Sequence, residues 1–254
     1  MSTKPLLLNF TSFYRAAMGA ILSMGLYAGV GAAAEIPTTF EYRVLGWSDD
    51  SLLWGFQERG DYGSGMVFSP GGGVYVIDAA ANRFVFEDFF GTGDSALDRG
   101  EAAVQQAAET AASRALQKAK SLGLRGASGT VAYKRRTMVW VNDDSAFKQF
   151  GDQRITFQHA GHGYAVKLLA DVQPDADSMV GTKSQFSIAI RRDDDAWQTL
   201  QADRRQWRPY LAYSIVHASI SPDGRKIAIL VEAVQNGVEG QKQSFYKGIT
   251  GLLP

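Results

Sequence analysis

Apolar and polar residues alternate over most of the chain with the two-residue period of β-strands. In the clearest case, residues 214–232 read S-I-V-H-A-S-I-S-P-D-G-R-K-I-A-I-L-V-E. Two apolar runs flank a turn in which the proline fixes φ, Asp223 can accept backbone hydrogen bonds and Gly224 tolerates positive φ. The pattern predicts two core strands joined by a tight turn, with Ile227 and Ile229 facing the core.

A related unit lies 173 positions earlier, where residues 41–58 read E-Y-R-V-L-G-W-S-D-D-S-L-L-W-G-F-Q-E. The offset places Trp54 and Phe56 on the two isoleucines, so all four side chains are expected in the core. Lys226 follows the second turn and is expected to be exposed and tolerant of substitution. The turn residues predicted to have a structural role are Ser48, Asp50, Ser221, Asp223 and Gly224.

The strand pattern continues along the chain and is interrupted once. Segments 74–78 and 83–87 predict a second hairpin, which would complete a four-stranded antiparallel meander. From Asp98 to Leu122 alanines recur at helical spacing, and Gly123 fits a C-terminal cap. The alanine-rich stripe favours packing on the outside of a sheet; a membrane-surface helix is the alternative, but bulky anchors are missing. Further strands are predicted at 131–141, 154–158, 163–172, 185–191, 210–220, 226–233 and 245–249.

Together these elements predict a mainly β fold. It consists of antiparallel, propeller-like meanders, either an incomplete propeller or a β-sandwich-like arrangement, with one inserted α-helix. Four propeller blades would need about sixteen strands, whereas the pattern indicates roughly eleven or twelve.

The amino terminus has the pattern of a secretory signal peptide. A basic region ends at Arg15, an apolar run covers 16–30, and Ala32 and Ala34 fit the positions before a cleavage site. We expect cleavage after Ala34 or a neighbouring residue, which leaves a single secreted domain over 35–254. A retained anchor is the alternative, but the run is near the lower limit for spanning. The expected location is periplasmic or extracellular, of the Gram-negative type, without membrane insertion after cleavage.

Composition narrows the possible functions. The chain has 254 residues, no cysteine and a formal net charge of zero. Lys4 and Arg15 are the only charged residues of the first 34, so the rest carries 24 basic and 26 acidic residues. This balance lacks the positive footprint of a nucleic-acid-binding protein. Without cysteine, disulfides, thiolate nucleophiles and Cys-ligated zinc are excluded.

Candidate catalytic and metal-binding residues are few. His159 and His162 are three positions apart and are weak metal candidates, since a zinc or copper site needs a third ligand such as Asp152 or His217. The glycines around them favour a turn with exposed histidines instead. His217 lies in a predicted strand and is expected to be half-buried. There is no G-x-S-x-G motif, and paired carboxylates lie in predicted turns. No catalytic residue, metal or cofactor is therefore assigned.

Two tryptophans are candidates for a binding surface. Trp197 and Trp207 lie among charged residues, and Arg208 follows the second. Exposed aromatic rings next to arginines are common in surfaces that bind partners. We predict Trp197, Trp207 and Arg208 as binding residues, whereas Trp54 alternates with small residues as an inward strand face would.

Several motifs resemble known families. The Ser-Pro-Asp-Gly turn before I-A-I, and V-Y-V-I-D-A-A-A-N-R at 74–83, resemble strand units of periplasmic β-propellers of the TolB and WD40-like kind. The order of signal peptide, W-S-D-D-S strand, Gly-Ser-Gly loop, alanine-rich helix, long β-region and carboxy-terminal S-P-D-G with Glu239-Gly240 resembles bacterial predicted secreted proteins classed as domain of unknown function 2259. This resemblance covers nearly the whole mature chain. It implies no activity, substrate or catalytic residue.

We interpret the chain as a non-enzymatic module that binds a protein or glycan of the cell envelope through a strand face or loops. The main alternative is a secreted hydrolase or metal-dependent enzyme that uses His159, His162 and a nearby carboxylate. A third possibility is a structural stabiliser of an envelope complex.

Overall fold

The fold consists of three stacked antiparallel sheets with a helix on the outside. The computed structural model describes residues 40–61, 70–91, 100–124, 129–135, 152–176, 181–202, 207–236 and 242–254. Within these ranges the chain forms twelve strands and one helix, and each sheet has four strands. The mainly β class with a single helix is therefore confirmed. Outside the described residues lie the signal segment, the Gly-Ser-Gly loop at 63–65, residues 136–141 of the predicted strand 131–141, and Glu239-Gly240.

Sheets 1 and 3 are meanders, and sheet 2 is not. Sheet 1 contains β1 (Phe40–Trp47), β2 (Leu53–Asp61), β3 (Pro70–Asp78) and β4 (Arg83–Gly91) in that order, which confirms the predicted four-stranded meander. Sheet 3 contains β6 (Gln153–His159), β7 (His162–Pro174), β8 (Thr182–Arg192) and β9 (Gln198–Ala202). Sheet 2 has the order β12 (Lys242–Leu252), β11 (Lys226–Asn236), β10 (Ala212–Ile220), β5 (Thr130–Lys134). In sequence, β5 precedes the strands of sheet 3 and β10 follows them. The pairing of β5 with β10 therefore joins the segments before and after sheet 3 in one sheet.

Sheet 2 is the central layer and is buried on both faces. On β11, Ile227 and Ile229 pack against sheet 3, whereas Ala228 and Leu230 pack against sheet 1. Trp54 and Phe56 of sheet 1 face this second side of sheet 2. Two-sided burial explains why β10 and β11 read as nearly continuous apolar runs.

The helix α1 (Glu101–Ser121) covers the other face of sheet 1. Its buried alanines Ala112, Ala115 and Ala119 pack against β3, where small side chains allow a close approach. Gly123 follows with a φ of 92°, and its N–H donates to a carbonyl of the last helical turn. This arrangement matches the predicted C-terminal cap. The predicted helix is confirmed over the residues that the structure describes.

The duplicated turn is built by the same hydrogen bonds in both copies. The serine hydroxyl donates to the aspartate two residues later, from Ser48 to Asp50 and from Ser221 to Asp223, over 2.5 Å in each copy. The serine oxygen also accepts the backbone N–H five residues later, over 2.9 Å in each copy. The residue that needs positive φ has 58° in the first copy and 70° at Gly224. The turn geometry therefore repeats, as the 173-residue offset predicted.

Lys226 departs from the expectation that it is exposed. It is only 9% exposed, and its ammonium lies 3.1 Å from a carboxylate oxygen of Asp223. The hydrogen bond from Ser221, together with the contact from this ammonium, lowers the pKa of Asp223 to about 2. The expectation is wrong because Lys226 begins a strand of the central sheet, so its aliphatic stem is covered while its charge pairs within the turn.

The positive φ of the second turn gives a first prediction. Gly224→Val is expected to lower the free energy of unfolding by about 1–3 kcal/mol, since a β-branched residue is strained in this region. A Cβ atom there would also lie 3.2 Å from Nε2 of His159. Equilibrium urea unfolding of the mature protein measures the effect. Gly224→Asn is the matched control and should cost less, because asparagine tolerates positive φ; equal stability of Gly224→Val and wild type would contradict the turn assignment.

Truncation of the paired core positions should be costly in both copies. Ile227→Ala and Ile229→Ala are each expected to lose about 2–5 kcal/mol, and Trp54→Ala and Phe56→Ala about 3–5 kcal/mol. All four side chains are fully buried. The exposed Arg225→Ala is the control and should change stability by less than about 0.5 kcal/mol in the same urea titrations. A near-neutral result for either pair would show that its strand face is misassigned.

Candidate binding face

Sheet 3 ends the stack, so only one of its faces is buried. On β8, the even-numbered residues Phe186, Ile188 and Ile190 pack toward sheet 2. The odd-numbered residues from 183 to 191 point the opposite way, as strand alternation requires. We call this second side the outer face of sheet 3.

Three cationic side chains meet a tryptophan on the outer face. The Nζ atom of Lys167 lies 4.3 Å from the ring centroid of Trp197, and the guanidinium carbons of Arg191 and Arg154 lie 5.1 and 5.9 Å from it. Arg154 on β6 pairs directly with Lys167 on β7, and Arg191 on β8 pairs with Ala165. The cations therefore come from three adjacent strands, all within the range of cation–π attraction.

These cations have no acidic partner within 4.0 Å in the described part of the chain. Like charges directly opposite each other destabilise a pair of strands, as for Arg154 and Lys167. The Nε atom of Arg191 is buried without a hydrogen-bond partner. Asp195, in the segment that carries Trp197, pairs with Arg192 instead, over 3.5 Å. The three cations thus lie close together without a direct ion pair among the described residues.

Two shallow hollows flank the cluster. The first, of about 470 Å³, is lined by Lys167 and Trp197 and extends past Gln185. The second, of about 450 Å³, is lined by Arg154 and reaches Asp193. Both volumes fall within the range of ligand sites. The cationic cluster therefore lies at the junction of two shallow hollows, whose linings also include carboxylates.

Trp207 lies at the far end of the same face. It is 42% exposed, and the Nζ atom of Lys183 lies 5.5 Å from its ring centroid. Lys183 and Arg191 share the outer face and are eight residues, roughly 26 Å, apart along β8. Arg208 is half-buried, and its backbone exchanges two hydrogen bonds with that of Ser184, over 2.7 and 2.8 Å. The structure places the two predicted tryptophans at opposite ends of one face, with Arg208 beside the second.

The two turn histidines have different neighbours. A two-residue turn with positive φ joins β6 and β7, so His159 and His162 lie directly opposite each other. Nδ1 of His162 lies 2.9 Å from the Asp193 carboxylate, which also accepts the N–H of Gly163 over 2.8 Å. The bond from Gly163, followed by that from His162, lowers the pKa of Asp193. His159 lies instead beside Gly224 of the duplicated turn.

The suggested third ligands lie elsewhere. Asp152 precedes β6 at the opposite end of the strand and accepts the N–H of Ala170 over 3.0 Å. His217 is in the middle of β10, with its ring centroid 6.4 Å from that of Tyr42 in sheet 1. The described residues contain no group of three side chains placed to hold a metal ion. Of the residues that the enzymatic alternative names, His162 has a carboxylate within hydrogen-bonding distance, that of Asp193, and His159 lies opposite it on the neighbouring strand.

A second group of ionisable residues is buried between sheets 1 and 2. The carboxylate of Glu58 accepts hydrogen bonds from the hydroxyl of Tyr75 over 2.5 Å and from the backbone N–H of Tyr246 over 3.1 Å. Burial raises the pKa of Glu58, and these hydrogen bonds offset the rise only in part. Tyr246 belongs to β12, an outer strand of sheet 2. Glu58 therefore satisfies a backbone donor on an outer strand.

Glu232 and His217 in the central sheet are buried in contrasting ways. Glu232 pairs with the guanidinium of Arg135 and accepts the hydroxyl of Ser244 over 2.6 Å. His217 is buried and not half-buried as expected, and neither of its ring nitrogens has a hydrogen-bond partner among the described residues. Burial, with a smaller contribution from Lys134, lowers its pKa to about 4. None of these residues lines either hollow. We assign the group to the interface between the sheets and not to ligand contact.

His217 and Glu58 should give stability opposite dependences on pH. The pKa of His217 is about 4 when folded, against 6.5 as the ordinary value for a histidine. The unfolded chain therefore takes up the proton first, and about 3 kcal/mol is lost as pH falls from 6.5 to 4. The raised pKa of Glu58 gives stability the opposite dependence on pH, because the folded state binds the carboxyl proton more tightly than the unfolded chain does. Its contribution to stability is lost as pH rises above 4.5, the ordinary pKa of a glutamate.

Urea unfolding at intervals between pH 4 and 8 separates the two groups. His217→Leu should remove the loss on the acid side, and Glu58→Gln should remove the loss that follows deprotonation of the carboxyl group. A profile parallel to that of wild type in either variant would contradict the corresponding assignment.

Comparisons with known proteins add a family to this description. Curated proteins and solved structures yield no match. The likeness to TolB and WD40-like propellers is therefore not confirmed and stays an interpretation of the strand and turn motifs. In the described part of the chain, no helix is long and apolar enough to cross a membrane. Residues 61–246 match the family model described as "Predicted secreted protein (DUF2259)". The chain belongs to this DUF2259 family of predicted secreted proteins.

Proposed function

We propose that this secreted protein is a non-enzymatic binding module of the cell envelope, periplasmic or extracellular, whose ligand is an anionic glycan or protein. The ligand lies on the outer face of sheet 3. The observation that carries the proposal is the convergence of Arg154, Lys167 and Arg191 on Trp197 without an acidic partner among the described residues.

Physical chemistry links this cluster to binding. Like charges on adjacent strands repel each other and lower stability. An anionic ligand would relieve this repulsion, and the relief would add to the affinity of binding. The ring of Trp197 adds an apolar surface that is already held in place, and tryptophan and arginine dominate the energetics of many binding surfaces. Since the chain after residue 34 has a slight acidic excess, a local positive cluster would also direct anions to this face.

The alternatives have less support. His162 and Asp193 serve the β6–β7 hairpin through hydrogen bonds, and the buried acids Glu58 and Glu232 are enclosed between sheets. A structural stabiliser of an envelope complex would use the same face and differ only in the partner it binds.

Co-sedimentation of the mature protein with isolated cell envelopes tests the proposal. Trp197→Ala and Lys167→Glu are each expected to weaken binding at least about tenfold, the effect of removing an energetically important contact. Wild-type binding should also weaken as salt rises, because the contact is electrostatic.

Two matched controls lie away from this face. Phe89→Ala removes an exposed aromatic ring from sheet 1, and Arg114→Glu reverses an exposed charge on α1. Both should bind as wild type does. Undiminished binding by Trp197→Ala and Lys167→Glu, with unchanged unfolding midpoints, would overturn the proposal.

A further inference from the structure

The features of the outer face follow the strand direction. Lys183 and Trp207 form an aromatic–cation pair at one end of β8. Trp197 covers Lys167 and Arg191 toward the other end. Along β8, Lys183 is six residues, roughly 20 Å, from Ala189, which is the residue that pairs with Lys167. The hollow of about 470 Å³ lies between them, so a ligand that contacts both pairs must be elongated.

The second hollow extends this path beyond Trp197. Lys167 lines the first hollow, whereas its cross-strand neighbour Arg154 lines the second. Along β7, the second hollow includes Gly163 and Ala165, and the first continues from Lys167 to Asp171. The two hollows are therefore consecutive, and the cations stand at their junction.

The walls of both hollows carry short polar groups. Thr156 and Gln158 line one, together with the carboxylates of Asp193 and Asp194, and Ser187 and Thr199 line the other, together with those of Asp152 and Asp171. Gln185 donates its amide to a carboxylate oxygen of the first hollow over 3.2 Å, and its Oε1 atom is buried without a hydrogen-bond partner. A buried acceptor without a donor fits a ligand rich in hydroxyl groups.

An extended acidic peptide fits this surface less well. Each backbone N–H and C=O of a peptide needs a partner, which a free sheet edge supplies and a sheet face does not. β7 is central in sheet 3, and its backbone is already paired with β6 and β8. A sugar chain instead offers hydroxyls to short polar side chains and ring faces to tryptophan.

From this geometry we infer that the outer face of sheet 3 binds a linear acidic polysaccharide that runs along the strands. Its carboxylate or sulfate groups lie against Arg154, Lys167 and Arg191, and its rings stack on Trp197 and Trp207. This inference rests on the proposed binding function and adds the class and orientation of the ligand.

Isothermal titration calorimetry with defined polymers tests the ligand class. The mature protein is titrated with polygalacturonate, dextran sulfate, neutral dextran and poly-glutamate. We expect binding to at least one acidic polysaccharide, with neutral dextran and poly-glutamate at least about tenfold weaker. The comparison of polygalacturonate with dextran sulfate identifies whether carboxylate or sulfate is preferred.

A length series tests the path along the strands, using a short acidic oligosaccharide and the long polymer of the preferred type. Trp197→Ala should weaken binding of both at least about tenfold, and Trp207→Ala should weaken the long polymer several-fold while leaving the short one unchanged. Phe89→Ala is the matched control and should have no effect on either. Equal affinity of Trp207→Ala and wild type for the long polymer would overturn the extended path.

The outcomes separate this inference from the proposed function. Tight binding of poly-glutamate with no binding of either acidic polysaccharide would overturn the ligand class and leave the binding face in place. Neutral dextran bound as tightly as the acidic polymers would overturn the anionic specificity. If no polymer binds and Trp197→Ala also leaves envelope binding unchanged, both the inference and the proposed function fail.

Discussion

Burial of both faces of sheet 2 is the constraint on which the rest of the structure depends. A sheet with two apolar faces needs a cover on each side, and sheets 1 and 3 supply these covers. Polar groups on its strands then lose contact with water and must be neutralised or paired. Glu232 is paired with Arg135, whereas burial favours the neutral form of His217. Gly248 on β12 allows sheet 1 to approach sheet 2 closely, because a Cβ atom there would clash with Ile77 and Phe56 of sheet 1.

The same constraint leaves sheets 1 and 3 with one face each directed away from sheet 2. Sheet 1 has an apolar second face, which α1 covers with its alanine stripe. Sheet 3 alternates isoleucines toward the core with polar and charged residues away from it. Within the described ranges, neither sheet 1 nor the helix packs on this outer face. The acidic turns have a different role, because their carboxylates are occupied with backbone donors: Asp50 bonds the N–H of Leu52, and Asp193 bonds that of Gly163.

Charges in the interior and on the outer face follow different rules. Inside, the carboxylate of Glu232 has a guanidinium partner, because an unpaired charge in a low dielectric would destabilise the fold. On the outer face, Arg154 and Lys167 oppose each other across two strands without an acid within 4.0 Å in the described ranges. Solvent screens this repulsion enough for the protein to tolerate it. The contrast distinguishes charges that hold the sheets together from charges that lie on the surface of sheet 3.

The order of residues was enough to predict the elements whose interactions span few residues: the duplicated turns, the helix and a turn that carries His159 and His162. The structure shortens that turn to two residues, and the resulting register places Arg154 opposite Lys167. Periodicity, capping and side-chain-to-backbone hydrogen bonds are local and can be recognised in the order of residues. Only the tertiary structure placed Arg191 and Trp197 beside Arg154 and Lys167, because the β7–β8 register is set by a longer connection. It also decided that Lys226 and Glu58 are buried and that one face of sheet 3 stays open, since burial depends on strands that are distant in sequence.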